Sequence, residues 1–162
     1  MIMAQTATNR FNISTKDLPY SKMVFPNAAL DRFKYVVWSV LTPTWPLLRD
    51  TCTTLGMVTH EIRQPFRVGQ LVLGKSIDEL VAFLVSRGYG NHFVAWKDKG
   101  EILGLRKVEN FFHQYHIRIF EDGEICGHYE FTPESYPILH LKGIGQEDRT
   151  AEFKELLKGW IV

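Results

Sequence analysis

The chain has few cysteines and no long apolar segment. Its 162 residues include only Cys52 and Cys126, which lie far apart, so a disulfide framework is not indicated and a reducing, cytoplasmic location is expected. Apolar runs such as Leu80 to Val85 are far shorter than the about 20 residues that span a bilayer. A charged start followed by an apolar core is also missing. We therefore expect neither a membrane segment nor a signal peptide.

A strong excess of charge of one sign is also missing, since the formal net charge is +1. Residues 1–110 contain 14 Lys and Arg against 9 Asp and Glu, whereas residues 111–162 contain 5 against 9, which gives +5 and −4. Neither part has the concentrated basic stripe of a dedicated nucleic-acid-binding protein. The content of 45% apolar and 23% charged residues is ordinary for a globular chain of one domain.

Periodicity divides the chain into an arm and a folded body. Residues 1–26 show no regular period and are predicted to form an irregular N-terminal arm. Residues 27–162 are predicted to form a single α+β domain, mainly an antiparallel sheet built from hairpins, with three to four helices packed on one face.

Helices and strands alternate along the predicted body. Apolar spacing, caps and helix-ending Pro or Gly residues predict helices at about 28–41, 44–56, 76–88 and 148–160. Runs rich in β-branched and aromatic residues predict strands at 57–62, 66–73, 92–97 and 101–108. Residues 136–147 are predicted to be irregular.

The most informative stretch is residues 111–131, which is typical of a β-hairpin because Asp122-Gly123 lies between two runs rich in Ile, Tyr and Phe. A two-residue loop would pair Ile117 with His128. A three-residue loop, 121–123, would pair His116 with His128, and Gly123 accepts the positive φ that its last position needs. The hydrophobic pattern favours the three-residue loop, because only that register separates the apolar from the polar side chains.

In this register the even-numbered face of the hairpin carries the residues with useful chemistry. We expect the helices to cover the odd-numbered face and leave the even-numbered face open to water or a ligand. The candidate catalytic residues are His116, His128, Arg118 and Glu130. Two imidazoles can act as base and acid near neutral pH, Arg118 can bind an anionic group, and Glu130 can orient a ring. This arrangement predicts a hydrolase or nuclease acting on phosphodiesters.

A divalent metal is the alternative use of the same face, although no cofactor is predicted outright. His116 and His128 could bind an ion together with Glu130, Cys126 or His140 as third ligand. The spacing of these residues matches no established zinc pattern. A nucleophilic role of Cys126 is disfavoured by its position within a strand.

Two further alternatives involve no catalysis. The chain could be a binding or regulatory module, including a homodimer formed through an exposed sheet face or edge, with nucleic acid or a small anionic molecule as ligand. It could also be a metal-bound structural domain. The simplest interpretation is that His116 and His128 lie on a solvated sheet face without a function.

A formal phosphate-binding-loop pattern occurs at Gly69, Gly74, Lys75 and Ser76. The residues between the two glycines are apolar and resemble a strand, whereas a nucleotide cradle needs a flexible loop. We expect a strand end, a turn and a capped helix here, and no nucleotide binding.

Overall fold

A computed structural model describes residues 17–21, 28–57, 66–91 and 98–162. These residues form an α+β architecture with one four-stranded antiparallel sheet, as the sequence predicts. The elements, in chain order, are α1 (Ala28–Thr54), β1 (Arg67–Gln70), α2 (Ile77–Ser86), β2 (Glu101–Val108), β3 (His113–Phe120), β4 (Glu124–Phe131), α3 (Pro137–Leu141) and α4 (Thr150–Leu156). A single domain over 27–162 stays a prediction.

The sheet has the strand order β1-β4-β3-β2. In the central hairpin His116 lies opposite His128 and Ile119 opposite Ile125, which confirms the register with a three-residue loop. Gly123 closes this loop with a φ of 84°. The alternation of side chains therefore separates two faces of the hairpin, as predicted.

The odd-numbered face of the hairpin forms one wall of the apolar core. Its buried residues pack with those of α2 and α4 in one cluster that includes Leu103, Leu105, Ile117, Ile119, Ile125, Leu80, Leu84, Phe153 and Leu157. A Cβ atom at Gly127 would lie 3.0 Å from ring carbons of Phe153, so the absence of a side chain lets α4 approach the sheet. Each fully buried Leu or Ile contributes about 1.5–3 kcal/mol. Residues of α2 and α4 thus pack on this face, whereas the predicted number of three to four packed helices stays a prediction.

The start of α2 follows the predicted capping box. The Glu79 amide donates to Ser76 Oγ at 3.2 Å, and the Ser76 amide donates to Glu79 Oε2 at 3.0 Å. Gly74 makes the preceding turn with a φ of 89°. The interpretation of residues 69–76 as strand end, turn and capped helix is thus confirmed, although β1 is shorter than the predicted strand 66–73.

Both outer strands of the sheet are covered by short backbone bridges. Gln70 of β1 exchanges hydrogen bonds of 3.0 and 2.9 Å with Val162, and Arg106 of β2 exchanges two of 2.9 Å with Gly90. Part of the predicted arm also belongs to this layer, because Tyr20 bridges Asn91 and Leu18 is buried. Most of the rest of the arm, residues 58–62 of one predicted strand and the whole of the predicted strand 92–97 lie outside the described residues.

Two predictions of helix position are wrong. Helix α1 is continuous through Pro43 and Pro46, where the sequence predicts an end and a new start. A proline removes one backbone hydrogen bond, and a helix continues past it when the neighbouring residues keep helical dihedral angles. The short helix α3 lies in the segment predicted to be irregular, and Pro137 occupies its first position, where a missing N–H costs nothing.

The length of α1 raises the question of a membrane span. Among the described residues, no helix is both long enough and apolar enough to cross a membrane.

Candidate metal centre

The even-numbered face of the hairpin is buried, so the prediction of an open face is wrong. His116 is 5% exposed, His128 1% and Glu130 4%, and Gln114, Arg118 and Cys126 are buried as well. Burial of charged groups is tolerated when they are paired. Here Arg118 contacts Asp98, and Arg106 lies 3.4 Å from Glu134. The covering carboxylates come from other parts of the chain, which the pattern of the hairpin alone does not reveal.

Strand pairing places the polar side chains of this face in rows across the sheet. Arg106 of β2 lies beside His116 of β3, which in turn lies beside His128 of β4. In the next row Gln114 lies opposite Glu130. The two imidazole rings are 5.0 Å apart between centroids and are steeply inclined at 76°.

The Glu130 carboxylate lies at the centre of this layer, with two neighbours at each oxygen. Gln114 donates from Nε2 to Oε1 at 2.8 Å, and His116 Nδ1 lies 3.3 Å from the same oxygen. At Oε2, His128 Nε2 lies at 3.1 Å and His140 Nδ1 at 3.5 Å. A carboxylate offers about four acceptor directions, and four nitrogen atoms lie within 3.5 Å of the Glu130 oxygens.

These neighbours determine the ionisation of Glu130. Burial on its own raises the pKa of this carboxyl, but His140, His128 and His116 together outweigh burial and hold the pKa well below its usual range. The site therefore contains a permanent buried negative charge that faces three imidazoles.

The geometry of His128 differs from that of a simple ion pair. Its Nε2 atom is within hydrogen-bond distance of Glu130, yet neither ring nitrogen makes a hydrogen bond within the described part of the chain. The distance between His128 Nε2 and Glu130 is short enough for a hydrogen bond, so it is the angle of the N–H bond that does not meet the geometry of one. A buried polar group without a hydrogen bond costs about 1–3 kcal/mol. His128 thus has an ion-pair contact with Glu130 but no well-directed hydrogen bond, at a position where burial makes that costly.

Three of these residues, His116, His128 and Glu130, could hold a metal ion. Ligands of one ion lie side by side and point at the ion, not at each other. With zinc–ligand bonds of about 2.0–2.1 Å, neighbouring ligand atoms in a tetrahedron are about 3.3 Å apart. His116 Nδ1 lies 3.3 Å from Glu130 Oε1 and His128 Nε2 lies 3.1 Å from the other oxygen, Oε2, so each single distance is of this size but the two do not share one oxygen. One potential ligand atom from each of these residues lies within 4.8 Å of the others.

The two other predicted third ligands are less suitable. His140 Nδ1 lies 2.8 Å from the Phe131 carbonyl oxygen. A carbonyl only accepts, so Nδ1 carries a proton and only Nε2 keeps a lone pair for an ion. His140 does not belong to the group whose ligand atoms lie within 4.8 Å of one another. The Cys126 thiol donates to Glu124 Oε1 at 3.3 Å, and burial together with this bond raises its pKa to about 12. In the metal-free protein the thiol therefore keeps its proton and is bonded to Glu124.

Arg118, predicted to bind an anionic group, belongs to the same face but points its guanidinium at Asp98. It is 2% exposed, so a phosphate in solution does not reach it in this conformation. The structure thus brings His116, His128 and Glu130 together and places Arg118 in a separate ion pair.

Arg106 and Gln114 support the site but were not among its predicted residues. Arg106 donates from Nη1 to Gln114 Oε1 at 3.1 Å, and its Nε donates to Ser21 Oγ at 2.8 Å. Burial lowers the pKa of Arg106 to about 10, although nearby Glu130 acts in the opposite direction. Because Arg106 is only a donor, it fixes the Gln114 amide with its NH₂ group toward Glu130. Extending the alternation from β3 into β2 would have found Arg106.

No protein-family model, curated protein or solved structure matches this chain, so the site has to be interpreted from its own geometry.

Proposed function

We propose that the protein is a metal-binding domain in which His116, His128 and Glu130 hold one divalent transition-metal ion. The observation that supports this most directly is His128, which is 1% exposed and whose ring nitrogens make no hydrogen bond among the described residues. An ion at the centre of the three residues would give that ring a directed contact, which its approach to Glu130 does not supply. The ion also balances the buried charge of Glu130.

The donor set indicates the class of ion. Two imidazoles and one carboxylate suit zinc, iron, cobalt, nickel or copper, whereas magnesium and calcium prefer oxygen ligands. When bound, such an ion supplies Lewis acidity and binding free energy. Since all three residues are buried, we expect the binding free energy to act mainly on the stability of the fold.

The test is a titration of chelator-treated protein with zinc, followed by thermal unfolding. At a free zinc concentration of about 100 times the Kd, mass action adds about 2.7 kcal/mol to the free energy of unfolding. Cobalt serves as a second probe, because its visible absorption bands report nitrogen and oxygen ligation directly. We expect one equivalent of either ion to bind.

A matched pair of variants separates this site from adventitious binding. His128→Gln removes a proposed ligand, and His113→Gln changes a histidine of the same hairpin that stacks on Tyr129 on the opposite face. The shift in melting temperature should disappear in His128→Gln and persist in His113→Gln. Equal shifts in both variants, or none in the wild-type protein, contradict the proposal.

A second proposal is the phosphodiester hydrolase that the paired histidines suggest. The spacing of 5.0 Å between the two rings favours it, because two imidazoles at this distance can divide into acid and base. The burial of both rings is the argument against it. A panel of RNA, single-stranded DNA and small phosphodiesters, with and without divalent metal, tests it. Activity that falls about 10²–10⁴-fold in His116→Ala supports it, and inactivity of the wild-type protein rejects it.

A further inference from the structure

Gln114 connects a buried cation to the proposed metal ligand Glu130. Its Oε1 atom accepts a hydrogen bond of 3.1 Å from Arg106 Nη1, and its Nε2 atom donates one of 2.8 Å to Glu130 Oε1. Gln114 is 2% exposed and Arg106 is 3% exposed. Turning the amide over would set its NH₂ group against the guanidinium and its carbonyl against the carboxylate, so only one orientation satisfies both neighbours.

Arg106 is held from two further directions. Its Nε atom donates to Ser21 Oγ at 2.8 Å, and both of its terminal nitrogens lie 3.4 Å from Glu134 Oε1. A guanidinium is a planar fork of donors, so contacts on several sides fix its plane. Gln114 therefore offers its N–H group to Glu130 from a position that is fixed before any ion binds.

The bond from Gln114 acts on one oxygen of Glu130 only. A hydrogen bond to a carboxylate is charge-assisted and therefore strong, so it restrains Oε1. At the other oxygen, Oε2, a ring nitrogen of His128 lies at 3.1 Å. We propose that Gln114 is a positioning residue, which holds Oε1 so that Glu130 binds the ion through Oε2 alone. This inference rests on the proposed metal site.

Binding through one oxygen determines how many donors the ion receives. With His116 and His128 it gives three donors, whereas both oxygens of Glu130 would give four. Three protein donors leave one position of a tetrahedral ion for water or another small ligand. His116 Nδ1 lies 3.3 Å from Oε1, so its ring has to turn toward Oε2 when the ion binds. This arrangement favours zinc and cobalt over manganese, which prefers six oxygen ligands.

Gln114→Met tests the positioning role, because methionine has nearly the volume of glutamine but cannot donate to Glu130. Zinc affinity, measured by competition with a chromophoric chelator at a temperature where the variants are folded, should fall about 10–100-fold. Gln70→Met is the matched control, since Gln70 lies on β1 of the same sheet and donates to the Asp122 carbonyl, outside the site. The zinc affinity of Gln70→Met should equal that of the wild-type protein.

Cobalt spectra separate positioning from a loss of stability. Four-coordinate cobalt absorbs visible light more strongly than five- or six-coordinate cobalt, so an extra oxygen donor lowers the absorption of the bound ion. We expect bound cobalt to absorb several-fold less in Gln114→Met than in the wild-type protein and in Gln70→Met. Unchanged absorption or unchanged zinc affinity in Gln114→Met overturns the inference and leaves the metal site standing. A wild-type protein that binds neither zinc nor cobalt overturns both.

Arg106→Lys serves if Gln114→Met fails to fold. Lysine keeps the buried charge but lacks the planar fork that holds the Gln114 amide. Zinc affinity and cobalt absorption should both fall, in the same direction as for Gln114→Met. A zinc affinity and a cobalt spectrum equal to those of the wild-type protein overturn the inference in this variant too.

Discussion

The two faces of the β3–β4 hairpin are built by the same strands and are both buried, yet they are stabilised by different interactions. On the odd-numbered face, Ile117, Ile119 and Ile125 pack against helices and contribute through the apolar area that they remove from water. On the even-numbered face, His116 and His128 each form an ion-pair contact with Glu130. Stability on the first face is spread over many contacts, whereas on the second it depends on one carboxylate.

Because of this difference, substitution of a buried residue should have different effects on stability on the two faces. Truncation of an apolar side chain leaves a cavity, and the loss scales with the volume removed. Removal of one member of a buried polar layer also leaves its former partners without compensation. The even-numbered face should therefore be the more sensitive of the two.

Glu130→Ala is expected to have the largest effect. It leaves Gln114, His116 and His128 facing a cavity without a charge, and breaking such a buried pair costs about 3–5 kcal/mol. Urea unfolding in the presence of a chelator measures this loss in the metal-free protein. Glu155→Ala, an exposed change on α4, should stay within about 0.5 kcal/mol. A Glu130→Ala loss as small as that of Glu155→Ala contradicts the central role of the carboxylate.

The same variant tests the ionisation of Glu130. The folded-state pKa of this carboxyl lies well below its ordinary value of 4.5, so the unfolded chain binds the proton more readily. The stabilisation is therefore fully present above about pH 4.5 and is lost as the pH falls through the folded-state pKa. We expect the difference in unfolding free energy between wild type and Glu130→Ala to shrink as the pH is lowered from 6 to 3. A constant difference contradicts the shift.

Cys126 should be nearly inert in the folded protein. Burial, together with the bond to Glu124, raises its pKa from 9.0 to about 12, so the thiolate fraction at pH 8 falls about 10³-fold. Alkylation with iodoacetamide, in a Cys52→Ser background, should be slower than in urea by at least that factor. Since the folded state retains this proton, stability should also fall as the pH rises above 9. Rapid alkylation of the native protein contradicts the burial of this face.

Gly127→Ala tests the contact between the odd-numbered face and α4. The new Cβ atom would lie 3.0 Å from the Phe153 ring, so the ring has to move, at a cost of about 1–3 kcal/mol. Phe153→Leu in the same chain removes part of the clash. Thermal unfolding of the two single variants and the double variant should therefore show a loss smaller than the sum. If the losses of stability in the two single variants add up to that of the double variant, Gly127 and Phe153 are not in contact.

His113→Gln should have the smallest effect. His113 stacks on Tyr129 with ring centroids 5.1 Å apart and contributes about 1 kcal/mol or less. His116→Gln, on the other face, should cost more because it disturbs the layer around Glu130. If the order of the two losses in urea unfolding is reversed, the contrast between the faces is wrong.

The sequence was most informative where structure depends on neighbouring residues. The register of the hairpin follows from Asp122-Gly123 and from alternation, and the α2 cap follows from Ser76 and Glu79. Both features depend on local backbone chemistry. The pairing of His116 with His128 could therefore be predicted before the fold was known.

Burial of the even-numbered face could not be predicted in this way. A strand face with His, Arg and Glu resembles a solvated surface, because its partners are distant in sequence. Ser21 contacts Arg106 across 85 positions, and Asp98 contacts Arg118 across 20. The continuity of α1 through Pro43 was missed for a different reason, since proline shifts a preference without forbidding a helix.

The bridges at the two sheet edges limit how copies of this protein can associate. A bare edge strand offers a template on which another chain can add a strand, and this is a common route to aggregation. Here the backbone groups of Gln70 and Arg106 that would serve as such a template are already bonded to Val162 and Gly90. At these positions the sheet has no room for an incoming strand. Growth of the sheet from one molecule into the next is therefore blocked at these two positions.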